Sequence, residues 1–236
     1  MSTLRSSAIP VTDPSAGLRI TEIFYSLQGE ANTLGLPTVF IRLTGCPLRC
    51  TYCDTTYSFE GGERQSLDEI IQTTLDFKTP YVCVTGGEPL AQPNAIPLMQ
   101  KLADLGCEVS LETSGALDVS KVDPRVSKVL DLKTPTSGEE KRNLMSNLEH
   151  LTQHDQIKFV ICNREDYEWS KLQVKQYKLN EKVSTVWFSP AFAIEKGAVR
   201  LPQLARDLAQ WILEDHIPVR FQLQLHKLLW NDETGR

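Results

Sequence analysis

Long apolar runs are missing from this 236-residue chain: nothing approaches the roughly 18 consecutive apolar residues of a membrane-crossing helix, so no span is expected. Surplus positive charge is missing as well. With 25 basic against 30 acidic side chains the formal net charge is −5, which gives no basic face for electrostatic nucleic-acid binding. Internal repeats and low-complexity blocks are absent, as are Pro/Gly/Ser-rich linkers after residue 17, so a single domain is expected over residues 18–236. Residues 1–17 (MSTLRSSAIPVTDPSAG) lack the apolar stretch of a secretory signal and read as a flexible polar tail, making the cytoplasm the expected compartment. Cysteine is sparse and uneven: there are six, at 46, 50, 53, 83, 107 and 162. Three of them crowd into 46–53 of a long chain without an export signal, which excludes a disulfide framework and points to metal or redox chemistry there.

What the chain does have is alternation. Short apolar or β-branched runs occur at 19–25, 38–44, 81–85, 107–112, 128–133, 157–162, 184–188 and 219–224, and each reads as a strand. Helical patterns separate several of them. Ser66 and Glu69 have capping-box spacing and open a helix through about 77. Ile96, Leu98, Leu102 and Leu105 mark another before Gly106, a C′ residue. Leu201, Leu204, Leu208, Trp211 and Ile212 form one apolar face behind Pro202. Strands alternating with helices predict an α/β fold with a parallel sheet, open or closed into a barrel, and ligands at the strands' carboxyl ends.

The CxxxCxxC triplet of Cys46, Cys50 and Cys53 directly follows the strand TVFIRLT, at such a carboxyl end. A closed zinc site takes four protein ligands, and no fourth Cys or His is nearby; His150 and His154 lie about a hundred residues on, so a distant fourth ligand stays an alternative. A 4Fe-4S cluster also usually takes four cysteines, so three leave one iron open to an exogenous ligand. Together with Gly86, Gly87, Glu88 and Pro89, a GGEP run at the end of the next strand, this triplet resembles the signature of the radical S-adenosylmethionine (SAM) superfamily. The resemblance implies that SAM chelates the open iron and that one electron cleaves it to a 5′-deoxyadenosyl radical, which abstracts a substrate hydrogen. Gly86 and Gly87 would then allow close backbone approach to SAM. By itself GGEP reads equally as a strand-to-helix turn.

Further motifs narrow the reaction. SLQGE (26–30), FIRLTGC (40–46), CTYCDT (50–55), TGGEP (85–89), ETSG (112–115) and QLHKLLW (224–230) together resemble the 7-carboxy-7-deazaguanine synthase family, over roughly residues 19–230. That family converts 6-carboxy-5,6,7,8-tetrahydropterin to 7-carboxy-7-deazaguanine with Mg²⁺-dependent ring contraction and loss of ammonia, on the way to queuosine and related 7-deazapurines. The resemblance implies a compact, incomplete β/α barrel and a homodimer. It assigns Cys46, Cys50 and Cys53 to the cluster and Thr55 to Mg²⁺, a hard ion that takes oxygen ligands. It places Leu27, Gln28, Gly29, Glu30, Arg42, Thr85 and His226 against the substrate, with Arg42 on its carboxylate. It places Tyr52, Cys53, Asp54, Gly87, Glu112, Ser114, Asp131, Leu132, Lys133, Ser189 and Pro190 around SAM. An external reductant such as flavodoxin or ferredoxin is implied as a partner.

Plainer readings stand beside several of these. Arg42, inside an apolar strand, could pair with Glu22 or Glu30. Asp131 and Lys133 share a strand face and could pair with each other. Thr55 could be a cap or turn residue, and His226 structural. Cys83, Cys107 and Cys162 read as small buried hydrophobes in strands. The rival functions are a glycyl-radical-enzyme activating protein of the same superfamily and a non-catalytic zinc or iron-sulfur protein.

Overall fold

All eight strand-like runs become strands, and they join one sheet because their alternation suits a surface polar on one face and apolar on the other. A computed structural model describes residues 17–191, 203–230 and 233–235; the expected tail, Gly17 excepted, lies outside the described residues, as do Leu201 and Pro202. In chain order the elements are β1 (Leu18–Leu27), β2 (Pro37–Leu43), β3 (Glu63–Gln65), α1 (Leu67–Asp76), β4 (Tyr81–Gly86), α2 (Ala95–Asp104), β5 (Glu108–Thr113) and β6 (Ser127–Asp131). There follow β7 (Gln156–Ile161), α3 (Arg164–Gln176), α4 (Leu179–Lys182), β8 (Thr185–Pro190), α5 (Gln203–Glu214), β9 (Arg220–Phe221) and α6 (Leu225–Trp230).

The strand order is β3-β1-β2-β4-β5-β6-β7-β8-β9. From β2 to β9 every pairing is parallel, whereas β1 runs antiparallel to both β2 and β3. The first and last strands do not pair, so the sheet stays open: a partial barrel, as expected, with an antiparallel edge that alternation alone did not announce. The three-residue β3 and the helices α3, α4 and α6 were not anticipated. The expected strand 128–133 ends at Asp131, and 219–224 shrinks to two residues.

The helices form where local signals say they should. Ser66 accepts from the Glu69 amide while the Glu69 side chain accepts from the Ser66 amide, closing the capping box. Gly106, at φ +85°, follows α2 in the left-handed conformation expected of a C′ glycine. Helix α3 opens on an Asn163 cap whose side chain accepts from the Asp166 amide. Between β5 and β7 there are no α-helices among the described residues, only β6, loops and short 3₁₀ turns at 135–137, 140–142 and 145–149.

Strand parity then sorts the side chains. Ile41, Leu43, Val82, Val84, Val109, Leu111, Leu130, Ile157, Phe159, Ile161, Val186 and Phe188 are buried in one core with the apolar faces of the helices, each burial contributing roughly 1.5–3 kcal/mol for the larger side chains. Register places the alternate residues on the opposite face: Arg42 beside Thr85, Cys83 beside Ser110, Glu112 beside Val129, Asp131 beside Lys158 and Val160 beside Ser189. That polar face is the floor of a cleft.

Candidate active site

At the carboxyl end of β2 the chain enters the loop that carries the three cysteines, and the end of β4 holds it in place. Gly87 donates its amide to Leu43 O (3.1 Å) and Glu88 donates to Gly45 O (2.8 Å). The contact is so close that a Cβ on Gly86 would stand 2.3 Å from Leu43 O and one on Gly87 2.2 Å from Gly45 O. The cysteine loop itself thus excludes a side chain at either position, and Gly86, at φ +147°, also has a backbone few other residues adopt. Glu88 is fully buried and ties the ends of β4 and β5 together. Its carboxylate accepts from the Leu90 amide, the Thr113 hydroxyl, the Ser114 amide and the Ser114 hydroxyl at 2.5–3.0 Å.

The resulting cleft has a volume of about 290 Å³ and is lined by Cys46, Cys50 and Cys53, all free and half-buried. Burial raises the Cys50 thiol to about 11, with Cys53 and Cys46 near enough to add to the effect against the pull of Lys133. Among the described residues no three His, Cys, Asp or Glu side chains converge tightly enough for a single metal ion. Three thiols in one loop along the cleft suit a polynuclear cluster.

Every expected site residue but one borders this cleft: Leu27, Gln28, Gly29, Glu30, Arg42, Tyr52, Asp54, Thr55, Thr85, Gly87, Glu112, Ser114, Asp131, Lys133, Ser189, Pro190 and His226, with the three cysteines. Leu132 is the exception. Its side chain lies between Asp131 and Lys133 on the opposite face and is fully buried in the core, so it points away from the cleft. Asp131 and Lys133 are paired, Nζ to Oδ2 at 2.9 Å. Arg42 is likewise committed in part: its Nε donates to Glu22 at 2.7 Å, and among the described residues its other guanidinium nitrogens have no hydrogen-bond partner. Phe24 and Tyr57 lie against the guanidinium at 5.7 and 5.8 Å. The Thr55 hydroxyl donates to Asp54 (2.8 Å), leaving its lone pairs open. The Ser114 hydroxyl is spent on Glu88. Cys83 is buried in the cleft floor, as expected of a small hydrophobe, but Cys107 and Cys162 are only half-buried and sit just outside their strands.

Sequence reasoning missed three cleft residues that organise the rest. Lys158, buried on β7, lies 2.9 Å from Glu30, 3.5 Å from Glu112 and 4.0 Å from Asp131. Gln224 donates to the other Glu30 oxygen at 2.9 Å, and Lys227 pairs with Asp54 at 2.8 Å, so helix α6 is latched over both the Gln28–Glu30 loop and the cysteine loop. His226 packs so tightly on Gly29 that a Cβ there would fall 2.1 Å from its Nδ1. A mid-strand lysine at the same parity as Arg42 logic was the available signal for Lys158. For α6 there was none beyond its motif.

These contacts set the charges. Burial would raise Glu30, but Lys158, His226 and the Gln224 hydrogen bond bring it down to about 2. Glu112 is raised to about 7, first by burial and then by Glu30 and Asp131, with Lys158 opposing. Burial lowers His226 despite the nearby Glu30 and Asp54. Burial alone would lower Lys158, but its three carboxylates hold it well above the ordinary lysine value. Among the described residues, four buried polar atoms of the lining have no partner: Gln28 Nε2, Tyr52 OH, Glu112 Oε1 and Asp131 Oδ1. Unmatched groups of this kind are costly unless a ligand meets them, and their mixture of donors and acceptors fits a large polar molecule.

Known proteins agree with this geometry. The model of the radical SAM superfamily matches residues 40–137. A protein of Koribacter versatilis named 7-carboxy-7-deazaguanine synthase is 44% identical, the match covering 92% of this chain and 99% of that protein. One of the same name from Chlorobaculum tepidum is 42% identical, over 93% and 97%. The chain belongs to the 7-carboxy-7-deazaguanine synthase family. Among solved structures, QueE from Escherichia coli shares the fold of this synthase-family chain with a TM-score of 0.71 at 23% identity, covering 89% of this chain and 95% of that one. SuiB from Streptococcus suis bound to its precursor peptide shares it more distantly, with a TM-score of 0.57 at 15% identity, over 79% and 48%. Membership of the synthase family brings the 4Fe-4S cluster and SAM as cofactors. The free thiols and unpartnered buried atoms of the cleft fit both.

Proposed function

We propose that this cleft converts 6-carboxy-5,6,7,8-tetrahydropterin to 7-carboxy-7-deazaguanine with release of ammonia, a lyase reaction of 7-deazapurine biosynthesis. The observation that carries the reading is that the three thiols, the unpartnered Gln28, Tyr52, Glu112 and Asp131 atoms and the half-committed Arg42 all line one cavity. Cys46, Cys50 and Cys53 hold the cluster, which with bound SAM supplies a carbon-centred radical able to take a hydrogen atom from the substrate. Tyr52, Glu112, Asp131 and Lys133 surround SAM together with Asp54, Gly87, Ser114, Ser189 and Pro190. Leu132 is not among these contacts by its side chain.

On the opposite wall, Gln28 and Glu30 grip the pterin's donor and acceptor edge. Glu30 suits this because Lys158 keeps it ionised and Gln224 fixes its orientation. Arg42 meets the substrate carboxylate with the guanidinium nitrogens that Glu22 leaves free, while Phe24 and Tyr57 hold its plane. Leu27, Gly29 and Thr85 close the pocket around the ring, and His226 covers it from α6. Thr55 brings a hydroxyl oxygen to Mg²⁺, the remaining ligands coming from substrate and water. The cleft's enclosure keeps water from a reactive intermediate, which is the protein's main contribution when a cofactor supplies the reagent.

The family habit supports a homodimer, and a one-electron donor such as flavodoxin or ferredoxin supplies the cluster from outside. The cytoplasm is the compartment in this reading; among the described residues no helix is long and apolar enough to cross a membrane. The test is anaerobic incubation of cluster-reconstituted protein with reductant, SAM, Mg²⁺ and 6-carboxytetrahydropterin, following 7-carboxy-7-deazaguanine by mass spectrometry. Product that vanishes in Cys50→Ala and falls in Arg42→Ala supports the reading. Deoxyadenosine without the deazaguanine, from protein with an intact cluster, overturns it in favour of another radical SAM reaction.

A further inference from the structure

Lys158 touches neither proposed ligand set alone; it stands between them. Its ammonium faces Glu30 of the substrate wall at 2.9 Å and Glu112 and Asp131 of the SAM wall at 3.5 and 4.0 Å. It reaches this place because β7 pairs with β6 in the register that sets Lys158 beside Asp131. Asp131 is itself held by Lys133 at 2.9 Å. The buried array thus runs from one wall to the other, with three carboxylates facing two ammonium groups, and with Glu112 Oε1 and Asp131 Oδ1 unpartnered. We propose that Lys158 is a positioning residue that couples the two halves of the cleft, so that binding of the pterin strengthens binding of SAM and the reverse.

The inference rests on the proposed function and works through shared hydrogen bonds. One ammonium has three donors; here it hydrogen-bonds to Glu30 and lies within ion-pair range of Glu112 and Asp131. A pterin presenting its amino group and ring N–H to Glu30 competes for the carboxylate oxygen that Lys158 now holds. The ammonium is then released toward Glu112 and Asp131 and favours the ionised form of Glu112, whose pKa burial otherwise raises to about 7. An ionised Glu112 is a better receptor for the cationic, hydroxyl-bearing SAM molecule. Coupling of this kind is reciprocal by thermodynamic necessity.

The experiment measures SAM affinity by equilibrium dialysis of cluster-loaded protein, with and without 6-carboxytetrahydropterin and without reductant, so that no turnover enters. Wild type is expected to bind SAM about tenfold more tightly when the pterin is present, within the usual range of two-site coupling. In Lys158→Met the enhancement should fall to about onefold, with Lys158→Arg restoring part of it. Under turnover Lys158→Met should also release more deoxyadenosine per deazaguanine formed, a partition that loss of fold alone does not change. Lys158→Gln, which keeps a donor toward Glu30 without the charge, serves if the methionine variant does not fold. The inference is overturned if either neutral variant keeps the wild-type enhancement, or if wild type shows none. Wild type that makes no deazaguanine sinks the parent reading instead, and the two failures are thereby distinguished.

Discussion

Replacing Glu88 by glutamine removes a charge and almost nothing else in shape, yet the structure says that the protein cannot accommodate it. Both carboxylate oxygens face a backbone donor: Oε1 accepts from the Leu90 amide at 3.0 Å and Oε2 from the Ser114 amide at 2.7 Å. A backbone N–H cannot turn into an acceptor. Whichever way the glutamine amide is flipped, its NH₂ meets one of these two N–H groups, and a fully buried donor is left without a partner. An unsatisfied buried group costs about 1–3 kcal/mol, and the lost charge-assisted bonds to Thr113 and Ser114 fall on the same side of the balance. The expected destabilisation of Glu88→Gln is therefore about 2–4 kcal/mol, a large share of the roughly 5–15 kcal/mol that holds a typical domain together. Denaturant unfolding of the cluster-free protein, wild type against variant, reads this as a lower midpoint at unchanged slope. In a chain of this size each kcal/mol lowers the melting temperature by roughly 2–4 °C. A variant within about 0.5 kcal/mol of wild type would refute the reasoning, because it would mean that the two amides find other acceptors.

Gly87→Ala places a methyl where Gly45 O and the Cys46 side chain now stand, so the cysteine loop must shift; reconstituted variant should hold markedly less iron per chain by metal analysis while remaining folded by circular dichroism. Arg42→Met should raise the pterin dissociation constant at least about tenfold, the scale of one lost charge-assisted contact, and leave substrate-free SAM affinity near wild type. Glu112, raised to about 7 by burial against an unfolded value near 4.5, binds its proton more tightly in the native state, so its contribution is fully present at low pH and stability is lost as pH rises through about 7. SAM affinity should run the opposite way, rising between about pH 6 and 8 as Glu112 ionises beside Lys158, Glu30 and Asp131, and Glu112→Gln should flatten that profile. Ser66→Ala opens the capping box of α1 and should cost about 1 kcal/mol in the same unfolding assay, with no effect on SAM binding.

Much of the molecule was legible before any coordinates because the relevant physics is local. The runs at 38–44, 81–85 and 157–162 are short and rich in apolar and β-branched side chains, which suits strands of a sheet covered by helices. Ser66 and Glu69 meet across one helical turn, so their spacing alone specified α1. Cys46, Cys50 and Cys53 sit within one loop at a strand end, and the residue type at that spacing names its chemistry.

What stayed hidden depends on which strands become neighbours. Lys158 reads as an ordinary strand lysine until β6 and β7 pair to set it beside Asp131 and the folded sheet brings it to Glu30, 128 residues away. Gln224 reaches the same carboxylate across 194 residues, and nothing in QLHKLLW states that α6 folds back over the cleft. Arg42 illustrates the division: its sequence position required an anion, but only the antiparallel pairing of β1 with β2 made that anion Glu22 and left part of the guanidinium for a ligand. Leu132 shows the converse, since Asp131 and Lys133 share the cleft face and alternation alone turns the side chain between them into the core. Periodicity and motif spacing thus determined the elements and the cofactor chemistry, because both are carried by residues a few positions apart. The charge network that joins the two walls of the cleft was decided by sheet order and register, because its members lie on separate strands and meet only once the sheet has formed.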